Sequence, residues 1–549
     1  MNLLLAFIVA MVVTVALVPL LTRYAGTLHV MDAPNARKVH AVPVPRVGGI
    51  AMFVGSTVAL LPWLLQADAR LSAVLLGGAV VFLFGLVDDR AELSAPVKFT
   101  GQLLGIAIVV GFGDVAIDCY SLTERHALPA WIGLSLTVFF ILGVTNAINL
   151  ADGLDGLAGG TTLLSLLALG IMALSVDYAD VAVLALAIAG AILGFLRFNT
   201  WPARIFMGDC GSQFLGFMAA VLSVMFSQHS GATVSVAVPL LLLGLPVVDT
   251  LMVMAQRARE GRPLFAADRR HVHHKLLDLG FDHHEAVAVI YGIQGLFFLA
   301  AWFMRFEPDT HIVAVFIGLA GGAVGLLILA GRRGWRWRRS PRDLGATLAS
   351  GSRLRLALHW LAQSRHLPRW SLRIAAVCVL GYLGTVALEE ARVSIDVAWL
   401  AGALGLVLAA TLYGPQGRPE WLARAALYIA MTLAVFLDHQ AGPQAEAVQL
   451  AKRGLLPLLV ACVALRMRLT QQRRFELTTL DVLLIFVAVA VPNLPGLFGS
   501  ESNVGLSVAK LVVLFYAIEL FCDQSRLGER WVGTGVIVFL AVVAARAIG

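Results

Sequence analysis

Charged side chains are scarce in this sequence. Asp, Glu, Lys and Arg account for only 14% of its 549 residues, whereas hydrophobic residues account for 59%. Soluble domains carry about 25% charged residues, so this composition argues against an ordinary soluble protein. Cysteine is scarce too: the five cysteines are scattered, and four of them lie in or beside apolar runs. This pattern indicates neither a disulfide framework nor a cysteine-rich zinc site.

Long apolar runs dominate the sequence. They recur from end to end with a length of about 20 residues, which a helix needs to cross the hydrocarbon core. The first run, residues 3–21, has no basic residue before it and no small-residue cleavage site after it. We therefore predict an uncleaved span and not a signal peptide. The fold class that we predict is an all-α polytopic membrane protein, with about eleven spans before residue 331 and about seven after it.

The basic residues predict how the spans are oriented. No charge precedes the first span, while the loop after it contains Arg23, Arg37, Lys38 and Arg46. The positive-inside rule therefore places the N-terminus outside and this loop in the cytoplasm. Alternation from there puts most polar clusters on the cytoplasmic face of the membrane. The net charge is +7, but the arginines lie between spans, so we expect contact with anionic lipid or substrate and no nucleic-acid partner.

A segment rich in Arg and Trp divides the sequence. It begins with "GRRGWRWRRSPRD" at residues 331–343, where Asp343 is its single acidic residue. We predict a catalytic membrane domain over 1–331, a cytoplasmic linker over 332–373 and a further membrane domain of unknown role over 374–549. The tryptophans indicate that the linker lies on the headgroup layer. A solvated basic loop that only fixes topology is the alternative.

Two adjacent carboxylates, Asp88 and Asp89, end an apolar run. The C-terminal end of a helix is negative and neighbouring carboxylates repel each other, so a bound cation would relieve the conflict. The alternative is that both acids only solvate the helix end, with help from Arg90. Lys98 begins the next span. It is either a phosphate contact or a lysine that extends to the membrane surface.

The segment "NAINLADGLDGLAGG", residues 146–160, lies between two apolar runs. Its residues Asn146, Asn149, Asp152 and Asp155 are spaced by three, which predicts that each neighbours the next on a helical surface. The interleaved glycines would let a ligand approach the backbone. The alternating oxygen ligands and distal Glu of an EF-hand are missing. Two carboxylates and two carboxamides exceed what a polar turn requires, so we predict a ligand site.

A third cluster, "RFNTWPARIFMGDCGSQFLGF" at residues 197–217, contains Asp209 just before an apolar run. With Gly211 and Ser212 after it, Asp209 is predicted to be a helix N-cap. The positive end of a helix also favours a metal–phosphate unit, and the two roles are compatible. Asn199, earlier in the segment, is predicted to bind substrate.

The largest inside loop, residues 256–286, contains a dense cationic group. Its members are Arg269, Arg270, His271, His273, His274 and Lys275. No cysteine is near, and adjacent His273 and His274 point in different directions on a helix, so we favour diphosphate binding over a histidine-ligated metal. A role in topology alone is the alternative. Asp249, inside a span near the cytoplasmic end, either faces the same cavity or makes a buried polar contact.

These clusters combine carboxylates and cationic groups on one side of the membrane. Carboxylates alone would bind a cation and cationic groups alone would bind phosphate, whereas both together suit a divalent ion that bridges the oxygens of a diphosphate. Mg²⁺ prefers one or two carboxylates, water and substrate phosphates. We therefore predict phosphoryl-group chemistry between a nucleotide-bearing molecule and a lipid at the cytoplasmic face, with Mg²⁺ as cofactor and Mn²⁺ as a substitute.

Five motifs that occur in order carry a family resemblance. They are "DAPNARKVHAVPVPRVGGI", "DDRAELSAPVKFTGQ", "NAINLADGLDGLAGG", "RIFMGDCGSQFLGF" and "PVVDTLMVMAQRAREGRPLFAADRRHVHHKLLDLGF". Together they resemble the polyprenyl-phosphate N-acetylhexosamine-1-phosphate transferases, and the resemblance covers residues 1–330. The form "DRRHVHHKLLDLGF" is similar to the branch that acts on UDP-GlcNAc or related UDP-sugars.

The resemblance implies transfer of N-acetylhexosamine 1-phosphate, with GlcNAc 1-phosphate as the first choice, from a UDP-sugar to undecaprenyl phosphate. The products would be undecaprenyl-diphospho-sugar and UMP, in the first membrane step of an envelope glycan such as O-antigen or teichoic acid. The identity of the sugar, the pathway and the oligomeric state stay open, although homodimers are common in the family. We favour direct displacement over a phospho-aspartate route.

The resemblance also implies roles for residues of this sequence. The implied catalytic residues are Asp88, Asp89, Asp152 and Asp155. The implied metal ligands are Asp209 and Asp152. The implied substrate-binding residues are Asn149, Lys98, Asn199, Arg270, His271, His273 and His274.

A membrane transporter or flippase for an anionic or lipid-linked substrate is the alternative function. Many spans and the intramembrane Asp249 favour it. A transporter, however, predicts charged groups near the bilayer midplane and internal repeats. The acids instead crowd at helix ends on one side, which favours an enzyme. A structural scaffold would leave the acid and histidine clusters unexplained.

Overall fold

The chain is almost entirely helical in the computed structural model. The model describes residues 3–27, 30–32, 43–64, 68–121, 125–228, 234–261, 271–336, 367–388, 393–414, 420–440, 446–469, 478–491, 494, 504–524 and 526–546. Two short antiparallel hairpins are the β-structure of these residues. They pair β1 (Met31–Asp32) with β2 (Val44–Pro45), and β3 (Cys119–Ser121) with β4 (Arg125–Ala127).

Thirteen helices lie between residues 3 and 336 of the described chain. They are α1 (Leu3–Tyr24), α2 (Gly48–Leu64), α3 (Ala69–Ala91), α4 (Ala95–Gly113), α5 (Ala130–Ala151), α6 (Leu157–Ser175), α7 (Ala179–Asn199), α8 (Gly208–Ser227), α9 (Val238–Leu242), α10 (Gly244–Arg259), α11 (Val272–Asp278), α12 (His283–Met304) and α13 (Asp309–Arg332).

Seven further helices follow in the described part of the C-terminal region. They are α14 (Leu367–Leu388), α15 (Ile395–Tyr413), α16 (Glu420–Gln440), α17 (Glu446–Leu469), α18 (Thr479–Ala490), α19 (Val504–Gln524) and α20 (Arg526–Arg546).

Eleven of the described helices are long and apolar enough to cross a membrane. Nine of them precede residue 336, and shorter apolar helices such as α2 add to the set. This composition confirms the predicted all-α polytopic membrane protein. These helices carry apolar side chains along their length, as expected of helices that face lipid or other helices and not water.

The chain forms two compact units. The first contains Met1–Arg339 together with Thr478–Phe486, and the second contains Ser340–Leu477 together with Val487–Gly549. The division therefore differs from the one predicted from sequence, because the first half of α18 belongs to the first unit. Most of the predicted linker lies outside the described residues.

Helix α8 is the centre of the first unit. The apolar stretch of α8 that is long enough to cross a membrane is completely buried. The helix packs against α2, α3, α5 and α6. The contact with α3 is especially close at Gly85, where an added Cβ would lie 2.5 Å from the Cα atom of Cys210. Small residues allow this backbone approach between membrane helices. The close contact brings the C-terminal end of α3 beside the N-terminal end of α8.

The second unit has its own apolar core. Helices α14 to α17, α19 and α20 contribute buried side chains to it, including Tyr382, Met431 and Phe521. A buried carboxylate, Asp438, lies near the end of α16. It accepts a hydrogen bond from the Tyr382 hydroxyl at 2.9 Å and pairs with the ammonium groups of Lys452 and Lys510, the latter at 2.6 Å. These groups satisfy the charge of a carboxylate that would be costly to bury alone.

Candidate active site

Helix ends of the first unit bring the predicted acids together. Asp88 and Asp89 lie in the last turn of α3, Asp209 lies in the first turn of α8, and Asp152 follows the last residue of α5. The Asp209 carboxylate interacts with both Asp88 and Asp152. The acids that the sequence placed in three separate motifs therefore form one acidic crevice.

Asp89 holds the start of α8 in place. Its carboxylate accepts hydrogen bonds from the backbone N–H groups of Asp209, at 2.8 Å, and Cys210, at 3.0 Å. A carboxylate at this position satisfies two backbone donors and complements the positive end of the helix. The sequence prediction that Asp209 itself is the N-cap is wrong, because Met207 occupies that position and Asp209 follows inside the first turn. An acid from another helix does the capping.

Because Asp209 does not cap α8, its carboxylate is available to the crevice. Asn149 donates a hydrogen bond to Asp209 Oδ1 at 2.6 Å and another to Ser212 Oγ at 2.7 Å, which orients the carboxylate. The Asp209 side chain is 32% exposed, whereas that of Asp88 is only 1% exposed. Of these two acids, Asp209 is therefore the one that a ligand from solution can reach.

Lys98 lies between two of the acids. Its ammonium group pairs with Asp88 and lies 3.5 Å from Asp209 Oδ2. Asp88 also accepts a hydrogen bond from the backbone N–H of Leu93 at 2.7 Å. Because Asp88 is so little exposed, its role in this geometry is to hold Lys98, and the half-buried lysine is the group that faces the crevice.

The motif of residues 152–156 is a turn and not a continued helix. Helix α5 ends at Ala151, so Asn149 is helical while Asp152 and Asp155 are not, and the predicted single helical surface is wrong for these two acids. Gly156 has φ +80°, a conformation that glycine adopts without strain. This turn reverses the chain into α6 and leaves Asp152 at the open side of the crevice.

Hydrogen bonds of Asp155 and Asn199 hold this turn in place. Asp155 accepts a hydrogen bond from the backbone N–H of Ala203 at 2.8 Å. Asn199 is buried; it accepts from the Gly156 N–H and donates to the Ile205 carbonyl, both at 2.9 Å. Since each polar atom of its amide makes one of these hydrogen bonds, Asn199 holds the turn in place, and its predicted contact with substrate stays a prediction.

Asp152 binds protons more readily than an ordinary aspartate. Burial among the surrounding helices, followed by the negative charges of Asp209, Asp155 and Asp89, raises the pKa of Asp152 to about 7. The side chain is nevertheless accessible to solvent through the open side of the crevice. We therefore attribute the direction of the shift mainly to the crowded negative charge, which a bound cation would relieve.

Arg46 is a member of the site that the sequence prediction treated only as a topology signal. It pairs with Asp32, which is buried beside it, and its Nη1 lies 3.9 Å from Asp89 Oδ1. Burial alone would lower the pKa of Arg46, but Asp32 and then Asp89 and Asp209 overcome that effect and raise it. Arg46 therefore stays charged and balances part of the negative charge of the crevice.

A histidine group borders the turn on its other side. Asp249 accepts a hydrogen bond from the Val272 N–H at 2.7 Å, and its second oxygen lies 2.9 Å from His271 Nδ1. Asp249 thus makes a buried polar contact that fixes the start of α11. The ring of His273 lies parallel to that of His271, and its Nε2 would be 2.7 Å from a Cβ atom on Gly153. His273 therefore packs directly on the turn.

The histidines differ in exposure. His271 and His273 are buried, while His274 is half-buried and lies with its ring centroid 4.3 Å from that of His273. Burial, and next the neighbouring His274, lowers the pKa of His273 to about 3. His273 is therefore neutral near pH 7. Arg270, also predicted to bind substrate, lies outside the described residues.

The donor set of the crevice fits a divalent cation. Six carboxylates take part in the network of contacts, against the two cations Arg46 and Lys98. The carboxylates are those of Asp32, Asp88, Asp89, Asp152, Asp155 and Asp209. Asp209 and Asp152 are the two that a ligand from solution can reach, since the Asp209 side chain is 32% exposed and Asp152 is exposed. Mg²⁺ uses one or two protein carboxylates and completes its shell with water and phosphate oxygens, so these two could hold it.

A second set of ligand-type side chains is explained by local structure. Among the described residues, Asp282, His284 and Glu285 offer atoms within 4.8 Å of one another. Asp282 and Glu285, however, form the capping box at the start of α12. Their closeness therefore follows from helix capping.

Known proteins resemble the part of the chain that contains this crevice. The family model described as "Glycosyl transferase family 4" matches residues 71–227. The probable undecaprenyl-phosphate N-acetylglucosaminyl 1-phosphate transferase of Bacillus subtilis (strain 168) is 39% identical over 299 residues, which cover 54% of this chain and 83% of that protein.

Two other relatives give the same picture. The decaprenyl-phosphate N-acetylglucosaminephosphotransferase of Mycobacterium tuberculosis (strain ATCC 25618 / H37Rv) is 35% identical over 345 residues, or 56% of this chain and 84% of that protein. The undecaprenyl-phosphate alpha-N-acetylglucosaminyl 1-phosphate transferase of Escherichia coli (strain K12) is 28% identical over 329 residues, or 58% and 88%. Each relative matches little more than half of this chain.

Proposed function

This chain belongs to the polyprenyl-phosphate N-acetylglucosamine-1-phosphate transferase family, and we propose that it moves GlcNAc 1-phosphate from UDP-GlcNAc to undecaprenyl phosphate. The products are undecaprenyl-diphospho-GlcNAc and UMP. The observation that carries the proposal is the convergence of Asp88, Asp152 and Asp209 in one crevice at the ends of membrane helices.

The crevice suits a reaction between a water-soluble donor and a lipid acceptor. Its acids lie at helix ends, where water and the headgroup layer meet. The donor carries a diphosphate whose charge must be neutralised beside carboxylates, and Asp209 and Asp152 are accessible for this purpose. When bound by these two residues, Mg²⁺ supplies positive charge to the phosphate oxygens in the transition state. By the positive-inside rule the crevice opens on the cytoplasmic face of the bacterial plasma membrane.

Lys98 has the position expected of a contact to the acceptor phosphate. It lies in the first turn of α4, near the membrane edge, and Asp88 holds its ammonium group towards Asp209. A phosphate monoester has a second pKa near 6, so the lipid phosphate is mostly ionised at neutral pH and its oxygen can attack the β-phosphorus directly. Asp88 then acts by positioning Lys98, with no general base required.

The histidine group and Asn149 are placed to orient the donor. Asn149 fixes the Asp209 carboxylate, and Asp249 fixes the ring of His271. His273 is neutral, so it serves as a hydrogen-bonding wall beside the turn and not as a cation. Fixed polar groups of this kind lower the reorganisation that the transition state requires.

The transporter alternative loses its main support. Asp249, the carboxylate that the sequence placed inside a span, accepts a hydrogen bond from the Val272 N–H and contacts His271, and its helix α10 is not among the eleven described helices that could cross a membrane. Asp88, Asp89, Asp152 and Asp209 of the crevice lie at helix ends. An enzyme accounts for both observations.

The direct test is an assay of the purified full-length chain with undecaprenyl phosphate, MgCl₂ and a panel of UDP-sugars, in which UMP release is followed. We expect release with UDP-GlcNAc, abolished in Asp209→Asn. Asp180→Asn is the matched control, because Asp180 is an exposed acid at the opposite end of α7 from Asn199. Normal turnover in Asp209→Asn, or no release with any sugar nucleotide, would contradict the proposal.

A further inference from the structure

A short segment from beyond the linker is part of the first unit. Residues Thr478–Phe486, which include the first two turns of α18, group with Met1–Arg339, although residues 340–477 of the chain lie between them. The known relatives match little more than half of this chain.

The far end of the segment packs into a notch on α12. The ring of Phe486 lies over Gly295, where an added Cβ would be 2.7 Å from Phe486 Cε2. The same ring makes an edge-to-face contact with Phe298, with centroids 5.9 Å apart and planes at 69°. Only a glycine leaves room for a ring at this distance from the helix backbone, so the two surfaces are complementary in shape.

The near end of the segment reaches the turn of the acidic crevice. Thr479 is buried, and its Oγ1 would lie 3.4 Å from a Cβ atom on Gly156. Tyr291 of α12 approaches the same glycine: its hydroxyl donates a hydrogen bond to the Gly156 carbonyl at 2.6 Å. Thr479 and Tyr291 thus cover one side of Gly156.

Gly156 is consequently held from both sides. Its N–H donates to Asn199 on one side, and its carbonyl accepts from Tyr291 on the other. Asp155 is the preceding residue, and Asp152 lies four residues earlier in the same turn. A shift of Gly156 would therefore move the acids that face the crevice.

We propose that the segment Thr478–Phe486 is a positioning element of the active site. Phe486 anchors the segment to α12, and Thr479 acts through its contact with Gly156 to set the place of the turn that carries Asp152. This inference rests on the proposed function for its kinetic consequence, but the contact itself does not depend on which sugar is transferred. The C-terminal region therefore contributes residues to the catalytic unit of this chain.

Full-length variants test the element. Phe486→Ala removes the ring from the notch, and Thr479→Val removes the hydroxyl at nearly constant volume. Leu484→Ala is the matched control, since it shortens an exposed apolar side chain of the same helix. A misplacement of about 1 Å can cost about 100-fold in rate, so we expect kcat to fall about 10-fold in Phe486→Ala and less in Thr479→Val. Leu484→Ala should retain the wild-type kcat.

A second readout separates positioning from folding. Hydrogen exchange of residues 152–160 should become faster in Phe486→Ala than in the wild type and in Leu484→Ala. The KM for undecaprenyl phosphate should stay constant, because Lys98 is not displaced, and Thr479→Ser should restore the rate lost in Thr479→Val. Unchanged kcat in Phe486→Ala, with or without faster exchange, would overturn the inference.

The two proposals can fail separately. If the wild type releases no UMP with any donor, the proposed function fails. Faster exchange of residues 152–160 in Phe486→Ala would even then support the contact between the segment and the turn. Unchanged exchange would overturn that contact.

Discussion

The carboxylate of Asp89 accepts a hydrogen bond from the backbone N–H of Asp209, so one acid of the crevice fixes the residue that presents another. The same carboxylate also accepts from Cys210 and has no exposed side-chain surface. Asp89 is therefore a positioning residue of α8, whereas Asp209 is the acid open to ligands.

Asp89→Ala should destabilise the protein and slow it. Loss of a capping carboxylate costs about 1 kcal/mol and up to about 2 kcal/mol, and the freed N–H groups of α8 would let Asp209 move. We expect a lower midpoint of thermal unfolding and a kcat reduced by at least about 10-fold. Asp89→Asn keeps one acceptor oxygen, so its unfolding midpoint and its kcat should lie between those of the wild type and those of Asp89→Ala. Wild-type stability and rate in Asp89→Ala would refute the capping role.

Asp249→Ala should affect the donor side of the reaction. Removal of the carboxylate frees the ring of His271 and the start of α11, which border the turn. Loss of hydrogen bonds to a charged group costs about 1.5–3 kcal/mol, so we expect the KM for the UDP-sugar to rise about 10-fold or more. The KM for undecaprenyl phosphate should change little. Equal effects on both substrates would argue against a role specific to the donor.

The stability of the protein should fall as the pH is lowered below the usual pKa of histidine, because His273 is buried in its neutral form. In the fold the pKa of His273 is about 3, below the usual value near 6.5, so the unfolded chain binds more protons between these values. Stability is therefore fully present above about pH 6.5 and decreases below it, by about 2 kcal/mol at pH 5. Thermal unfolding from pH 8 to 5 should show this loss, and His273→Gln should reduce it. Parallel curves for the two proteins would exclude His273 as the cause.

Asp438→Asn should destabilise the second unit. The substitution leaves the ammonium groups of Lys452 and Lys510 beside a neutral amide in a buried place. Removal of one partner from a buried ion pair costs about 3–5 kcal/mol. Thermal unfolding in detergent should show an earlier transition. Lys510→Met, which leaves Asp438 paired with Lys452, is the matched comparison and should cost less. Equal midpoints for Asp438→Asn and the wild type would mean that the carboxylate is not needed for stability.

Chelation tests the cofactor independently of any substitution. EDTA should abolish UMP release by the purified chain, and excess MgCl₂ or MnCl₂ should restore it, because Asp152 and Asp209 provide hard oxygen ligands that accept either ion. Calorimetry should show heat of Mg²⁺ binding that is lost in Asp209→Asn. Full activity in EDTA would remove the metal from the proposed mechanism.

Local patterns were sufficient to predict the membrane fold and the clustering of Asp88, Asp152 and Asp209, but not the part that Arg46 and Asp32 take in the crevice. The length of the apolar runs determines helices that cross a bilayer, and acids at the ends of such runs lie near the membrane edge, as Asp88 in the last turn of α3 and Asp209 in the first turn of α8 do. The arrangement within the crevice depends on contacts between distant residues. The capping of α8 by Asp89 and the pairing of Arg46 with Asp32 join different elements, and no spacing in the sequence reports them.

The same reason explains the two elements that the sequence misplaced. The spacing of Asn149, Asp152 and Asp155 is helical, yet the chain turns because Asn199 and Tyr291 bind Gly156 from both sides. Thr478–Phe486 belongs to the first unit, where Phe486 packs over Gly295, and this contact between distant residues has no signal in the local sequence.

Where α3 meets α8 at Gly85, main chain touches main chain and no rotamer separates the two helices. The gap between the acids that these helices carry is thus set by the van der Waals contact of one backbone with the other. A side chain at position 85 would force the two backbones apart and widen the spacing between Asp88 and Asp209.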